Sequence, residues 1–237
     1  MASLPLAVVN PRLFSSVYFV LLAVHLAVIA EVLPAVLLPC TKLSLVTALL
    51  VFAGTQWRRF AAHRGWKLLT AGLAFSLLGD GLLLGEGESW FTGGLVAFLL
   101  AHVCYAICFK DAREDNHEIP VAQKYLLITL GMVMVGIAVL LFLHKSLESM
   151  LAPVALYILV ITVMAVRAIN RFRKASERSY GLVLLGAVLF MVSDTILATN
   201  TFKGELDWAP LAIMATYGVA QWGIALGIHA FYDANQA

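Results

Sequence analysis

The chain is apolar in eight separate stretches, at about 13–33, 39–56, 66–85, 90–109, 122–143, 150–169, 180–199 and 208–231. A helix that crosses the hydrocarbon core needs about 20 mostly apolar residues, and each stretch is near that length. Between them stand the residues that stop helices: Pro34 and Pro39, the turn Gly85-Glu86-Gly87-Glu88, a polar segment from Lys110 to Pro120 and a basic one from Arg171 to Arg178. The expected fold is an all-α integral membrane protein, an eight-transmembrane-helix bundle forming one polytopic domain over residues 1–237. Only 13% of the residues are charged, where a soluble domain has about a quarter, so no stretch is left for a soluble domain. The run at 13–33 is too long for a signal-peptide core and reads as the first span.

Lysine and arginine set the orientation. With the N-terminus inside, 13 of the 16 basic residues fall in cytoplasmic segments, including Arg12, Arg58, Arg59, Arg113, Lys124 and Arg173. Lys42, Lys145 and Lys203 fall on the other side. Both termini are therefore expected in the cytoplasm, which requires an even number of spans. The basic residues lie in short loops rather than in one patch, so the net charge of +2 does not point to nucleic acid. The host membrane is expected to be the inner membrane of a bacterium or the endoplasmic reticulum of a eukaryote.

Two aspartates interrupt these apolar runs. Asp80 ends Ser76-Leu77-Leu78-Gly79-Asp80, and Asp194 ends Phe190-Met191-Val192-Ser193-Asp194. A carboxylate near the middle of the bilayer costs about 2.5–3.5 kcal/mol on insertion scales, so such residues are functional by default. Each lies 14 residues beyond an aromatic at a cytoplasmic entry, Trp66 or Tyr180. That puts both about 21 Å along parallel helices, in the outer third of a core about 30 Å thick. Each of these helices is followed by a return helix with mid-span polar residues, His102 and Tyr105 on one, Tyr217 and Gln221 on the other. A four-plus-four parallel repeat is the pattern this suggests.

Lys42 and Asn200 complete the intramembrane polar set. His102 and Tyr105, and likewise Tyr217 and Gln221, share a helix face, and inward-pointing faces would bring the set to one cavity. Each residue also has a plainer reading. Lys42 can snorkel, Asn200 can cap a helix end, and the others can bond between helices. The aspartates could be glue, yet hydrogen bonds inside membranes average only about 0.6 kcal/mol, a poor return on their cost.

Several chemistries are not supported. The intramembrane histidines His25, His102 and His229 fall at different depths, and no H-x-x-x-H or C-x-x-C spacing occurs, so no metal or other cofactor is expected. There is no G-x-S-x-G elbow and no phosphate-binding glycine loop. Cys40, Cys104 and Cys108 make no disulfide framework. Two carboxylates at one level in a low-dielectric cavity point instead to acid/base chemistry. Like charges a few ångströms apart cannot both ionise cheaply. One carboxyl would then keep its proton while the other is the anion, the division that acid-labile ether hydrolysis requires.

The same residues carry a likeness. Leu77-Leu78-Gly79-Asp80 is followed by Phe91, Gly94-Leu95 and Phe98, then by Ala101-His102-Val103-Cys104-Tyr105 and Phe109. Further on come Gly186-Ala187-Val188-Leu189-Phe190, Ser193-Asp194, Ala198, Asn200 and Phe202, and finally Thr216-Tyr217 and Ala220-Gln221, with Lys42 far upstream. This ordered set resembles the YhhN-type membrane family, which includes the animal lysoplasmalogenases. Relatives often have proline just after the lysine, where this chain has Leu43-Ser44-Leu45.

The resemblance implies hydrolysis of the vinyl-ether bond of lysoplasmalogens, giving a fatty aldehyde and glycerophosphoethanolamine or glycerophosphocholine. It implies Asp80 and Asp194 as the catalytic pair, with Lys42, His102, Tyr105, Asn200, Tyr217 and Gln221 about a lysophospholipid. A lateral opening between helices would admit the alkenyl chain, and Lys42 would meet the headgroup phosphate. The competing expectations are a proton-coupled transporter, which discontinuous helices in both halves would favour and at which Gly79-Asp80-Gly81 hints but Ser193-Asp194-Thr195 does not, and a lipid-binding bundle without catalysis.

Overall fold

The computed structural model describes residues 9–110, 126–172 and 174–236. The expected start of the fifth span, most of the Lys110 to Pro120 segment, and Arg113, His117, Lys124 and Arg173 lie outside the described residues. Among those residues the regular structure is all helical, in nine α-helices: α1 (Pro11–Ile29), α2 (Leu38–Thr55), a single turn α3 (Trp57–Phe60), α4 (Arg64–Leu82), α5 (Glu88–Lys110), α6 (Leu126–Leu143), α7 (Leu151–Ile169), α8 (Glu177–Lys203) and α9 (Ala209–Ala234). Short 3₁₀ turns precede α2 and join α6 to α7.

Seven of the helical segments are long and apolar enough to cross a membrane, which makes the chain an integral membrane protein. The remaining long helix, α4, has 19 residues but carries Lys67 and Asp80 among them.

Local chemistry sets the boundaries. The side chain of Asn10 accepts the Arg12 amide at 2.8 Å with Pro11 in the first helical position, so α1 begins there. It stops at Ile29, short of residue 33, because Glu31 turns into the left-handed region (φ 60°) and Pro34 disfavours helix in the residue before it. Ser176 accepts the Ser179 amide and starts α8 at Glu177, ahead of the expected 180. The same helix continues to Lys203, past 199, and ends at Gly204 with φ 124°. Those extra turns place Asn200 inside a helix.

Two helical hairpins, α4 with α5 and α8 with α9, are the most extensively packed pairs. Without a hydrophobic drive between helices in lipid, close backbone approach must hold such pairs together. In α8–α9 glycine allows it: a Cβ on Gly186 would sit 2.7 Å from the Ala220 carbonyl oxygen, and one on Gly223 would sit 2.9 Å from that of Leu182. α7 packs against both α5 and α8, and α2 against both α1 and α4. α9 is the central helix, with 61% of its span buried, whereas α6 stands at the edge with 11%.

Candidate active site

Each aspartate sits in an unbroken helix, Asp80 in α4 and Asp194 in α8. Asp80 is buried, and its Oδ2 accepts the Tyr217 hydroxyl of α9 at 2.7 Å. Behind that tyrosine the Gln221 amide donates to the Tyr217 oxygen at 3.2 Å, and the Tyr105 hydroxyl of α5 donates to Gln221 Oε1 at 2.8 Å. Ser76 Oγ lies 3.4 Å from the Tyr105 oxygen. The chain of donors runs one way, so the proton of Tyr217 is directed at Asp80.

Asp194 is held from the other side of the bundle. The Tyr157 hydroxyl of α7 donates to its Oδ2 at 2.6 Å, and His102 Nε2 of α5 lies 3.0 Å from the same oxygen. His102 Nε2 is also 3.1 Å from the Tyr157 oxygen. The two networks meet on one ring. Phe190 stands edge-on to both His102 (centroids 4.5 Å apart) and Tyr217 (5.4 Å).

Both carboxylates line a single cavity of about 600 Å³, together with Lys42, Tyr217 and, near the ends of the helices, Glu88 and Glu148. On the α7 side of Asp194 lies a smaller slot of about 50 Å³ whose walls are almost wholly apolar, among them Leu95, Val139, Ile161 and Met191. Leu83, Phe91, Phe98 and Asp194 line both spaces. The site is thus a polar chamber with an apolar annex, and a carboxylate stands at the junction.

Of the residues marked in the sequence, Asp80, Asp194, Lys42 and Tyr217 share the chamber wall. His102, Tyr105 and Gln221 are fully buried behind it: His102 bonds Asp194, Gln221 bonds Tyr217, and Tyr105 bonds Gln221. Asn200 is elsewhere: its Oδ1 accepts the Leu206 amide at 2.8 Å, bracing the turn after α8. Tyr157 is the member that sequence reasoning missed. The signal for it was slight, one of two hydroxyls, with Thr162, in the middle of an otherwise apolar run. Among the described residues no three His, Cys, Asp or Glu side chains come together as a metal-binding group.

The profile of the YhhN family matches residues 37–228. The chain is 29% identical to human lysoplasmalogenase TMEM86A over 174 residues, covering 70% of this chain and 66% of that protein. It is 31% identical to human lysoplasmalogenase TMEM86B over 177 residues, covering 75% and 70%. To a lysoplasmalogenase of Mycobacterium bovis it is 26% identical over 217 residues, covering 86% and 78%. No solved structure matches.

Proposed function

The chain belongs to the YhhN family, and we propose that it is a lysoplasmalogenase that hydrolyses the vinyl-ether bond of a lysophospholipid with Asp80 and Asp194 as acid and base. The observation that carries this reading is the pair of aspartates on one chamber, hydrogen-bonded by different partners. Asp194 has two neighbours on one oxygen, Tyr157 and His102, which hold it in place for the role of base. Asp80 accepts from Tyr217 and takes the role of acid.

The chemistry then runs as follows. The carboxyl of Asp80 protonates the β-carbon of the vinyl ether, and the double-bond electrons form the new C–H bond, leaving an oxocarbenium ion. The Asp194 carboxylate stabilises that cation and takes a proton from the water that adds to the α-carbon. The hemiacetal loses the glycerol oxygen as an alcohol and leaves the aldehyde. The hemiacetal hydroxyl proton balances the one the leaving oxygen takes up, and the proton that Asp194 took from water passes to Asp80, which closes the cycle.

The chamber suits the two ends of such a substrate. Lys42 offers a cation to the phosphate, while Glu88 and Glu148 offer carboxylates to the amine of an ethanolamine or choline headgroup. The apolar slot beside Asp194 takes the first carbons of the alkenyl chain. Both aspartate helices run unbroken, unlike the discontinuous helices that a carrier would use.

In this reading α4 is the eighth span, and both termini are cytoplasmic. A four-plus-four parallel repeat is supported by an exchange of partners: the aspartate of the first hairpin bonds the return helix of the second, and the reverse holds for the other. His102 follows Asp80 at nearly the same distance along the chain as Tyr217 follows Asp194.

The test is mass spectrometry of the products after purified protein meets lysoplasmenyl-phosphatidylethanolamine in detergent. Fatty aldehyde and glycerophosphoethanolamine are expected. Asp80→Asn and Asp194→Asn should each abolish release with unchanged melting temperature. Full activity in either variant would sink the pair.

A further inference from the structure

A second apolar space lies beyond the slot. Between α6 and α7 runs a groove of about 640 Å³, apolar at Val133, Ile137, Leu159 and Val163, with Lys110, Arg167 and Lys174 also in its lining. The groove and the slot have two lining residues in common, Gly136 of α6 and Ile158 of α7. These two therefore form the partition between a groove at the edge of the bundle and a slot that ends on Asp194.

The partition is thin and made for close contact. A Cβ on Gly136 would lie 2.6 Å from Thr162 Oγ1 and 3.4 Å from Ile158 Cγ2, so α6 rests its backbone directly on α7 here. Thr162 donates its hydroxyl to the Ile158 carbonyl at 2.7 Å, which keeps the wall free of an unspent donor. α6 itself is lightly held. Gly136 and Leu143 are its buried residues, while Leu127, Met134 and Leu141 are more than 60% exposed and suited to contact lipid tails. Separating α6 from α7 at this point strips little packing and joins groove to slot.

We infer that the hydrocarbon chain of the substrate enters from the bilayer between α6 and α7, across a portal whose closing contact is Gly136 on Ile158 and Thr162. The inference rests on the lysoplasmalogenase reading for the identity of the chain, a single unbranched tail on a glycerophospholipid head. The slot, at about 50 Å³, has room for only a few carbons. The remainder of the tail lies in the groove, which is open to lipid along α6 and α7. The glycine sets how closely the two helices meet at that threshold.

The portal can be locked and unlocked. A Cβ on Gly136 would be 3.8 Å from that of Thr162, the mean separation of about 3.8 Å in disulfides. The double variant Gly136→Cys/Thr162→Cys, made in a background with Cys40→Ser, should therefore cross-link on oxidation and reopen with dithiothreitol. The probe is a lysophosphatidylethanolamine with a photoreactive diazirine in mid-chain, offered to the protein in lipid nanodiscs.

Labelling of α7 and α8 peptides is expected in the wild type and in the reduced double variant. It should fall at least tenfold in the oxidised one, with each single variant unaffected by oxidant. Equal labelling with the cross-link formed, or no labelling of these helices in the wild type, overturns the portal. Should the double variant fail to fold, Ile158→Trp fills the same threshold from α7 and should cut labelling to a similar degree. Unchanged labelling in that variant likewise overturns it. A wild type that takes up the probe yet releases no aldehyde from lysoplasmenyl lipid leaves the portal standing and sinks the activity.

Discussion

Tyr157 donates its hydroxyl to Oδ2 of Asp194 at 2.6 Å, from a helix that has no other polar contact with that carboxylate. The bond fixes the carboxylate at the junction of the two spaces. A hydrogen bond to a charged group contributes about 1.5–3 kcal/mol. Tyr157→Phe keeps the ring and its contact with His102, so it should lower kcat by roughly 10- to 100-fold with KM little changed. Aldehyde release measured against substrate concentration checks this. A purely structural tyrosine would leave kcat intact.

Lys42 makes the opposite kinetic prediction. It lines the chamber on α2, beside Asp80 but with no hydrogen bond to either aspartate. As a phosphate-binding cation it contributes to ground state and transition state alike, so Lys42→Met should raise KM about tenfold while kcat stays within about twofold. The sharper control is a neutral substrate, an alkenylglycerol without phosphate, on which wild type and variant should perform equally. Lys42→Arg should recover most of the loss.

Asp80 and Asp194 were legible because a charge in an apolar run has few explanations. Their partners were only half legible. His102 and Tyr105 do share a face, but they serve different aspartates, His102 that of α8 and Tyr105, through Gln221, that of α4. Which helix lies opposite which is a tertiary fact that spacing along one helix does not contain. Tyr157 was hidden for the same reason, since tyrosine is common in spans and its acceptor is on another helix. α4 shows the reverse limit. Its length and punctuation were readable, while the charges it carries reduce its apolarity below that of the other long helices.

Asn200 illustrates how a boundary shift changes a role. Because α8 continues to Lys203, Asn200 lies in its last turn and spends its carbonyl oxygen on the Leu206 amide. Asn200→Ala should therefore leave kcat and KM within about twofold of wild type. It should cost about 1 kcal/mol of stability, the net worth of one hydrogen bond. A large loss of activity without loss of stability would return Asn200 to the site.

The α8–α9 hairpin gives a stability prediction with an internal control. A methyl on Gly186 meets the Ala220 carbonyl oxygen at 2.7 Å and the Ile224 amide nitrogen at 2.9 Å, both backbone atoms of α9. Backbone cannot swing aside as a side chain can, so Gly186→Ala must push the helices apart. Overpacking of this kind typically costs about 1–3 kcal/mol. Gly181 lies on the same helix with nothing within 4 Å of its added Cβ. There Gly181→Ala should be neutral, or stabilising by up to about 1 kcal/mol through reduced backbone entropy. Melting curves in detergent compare the two directly. The Gly186 variant should also lose activity beyond what its melting temperature explains, because α8 carries Asp194 and α9 carries the Tyr217 that holds Asp80. Separating the two helices moves the acid's partner away from the base, and equal activity in both alanine variants would mean that the chamber tolerates that shift.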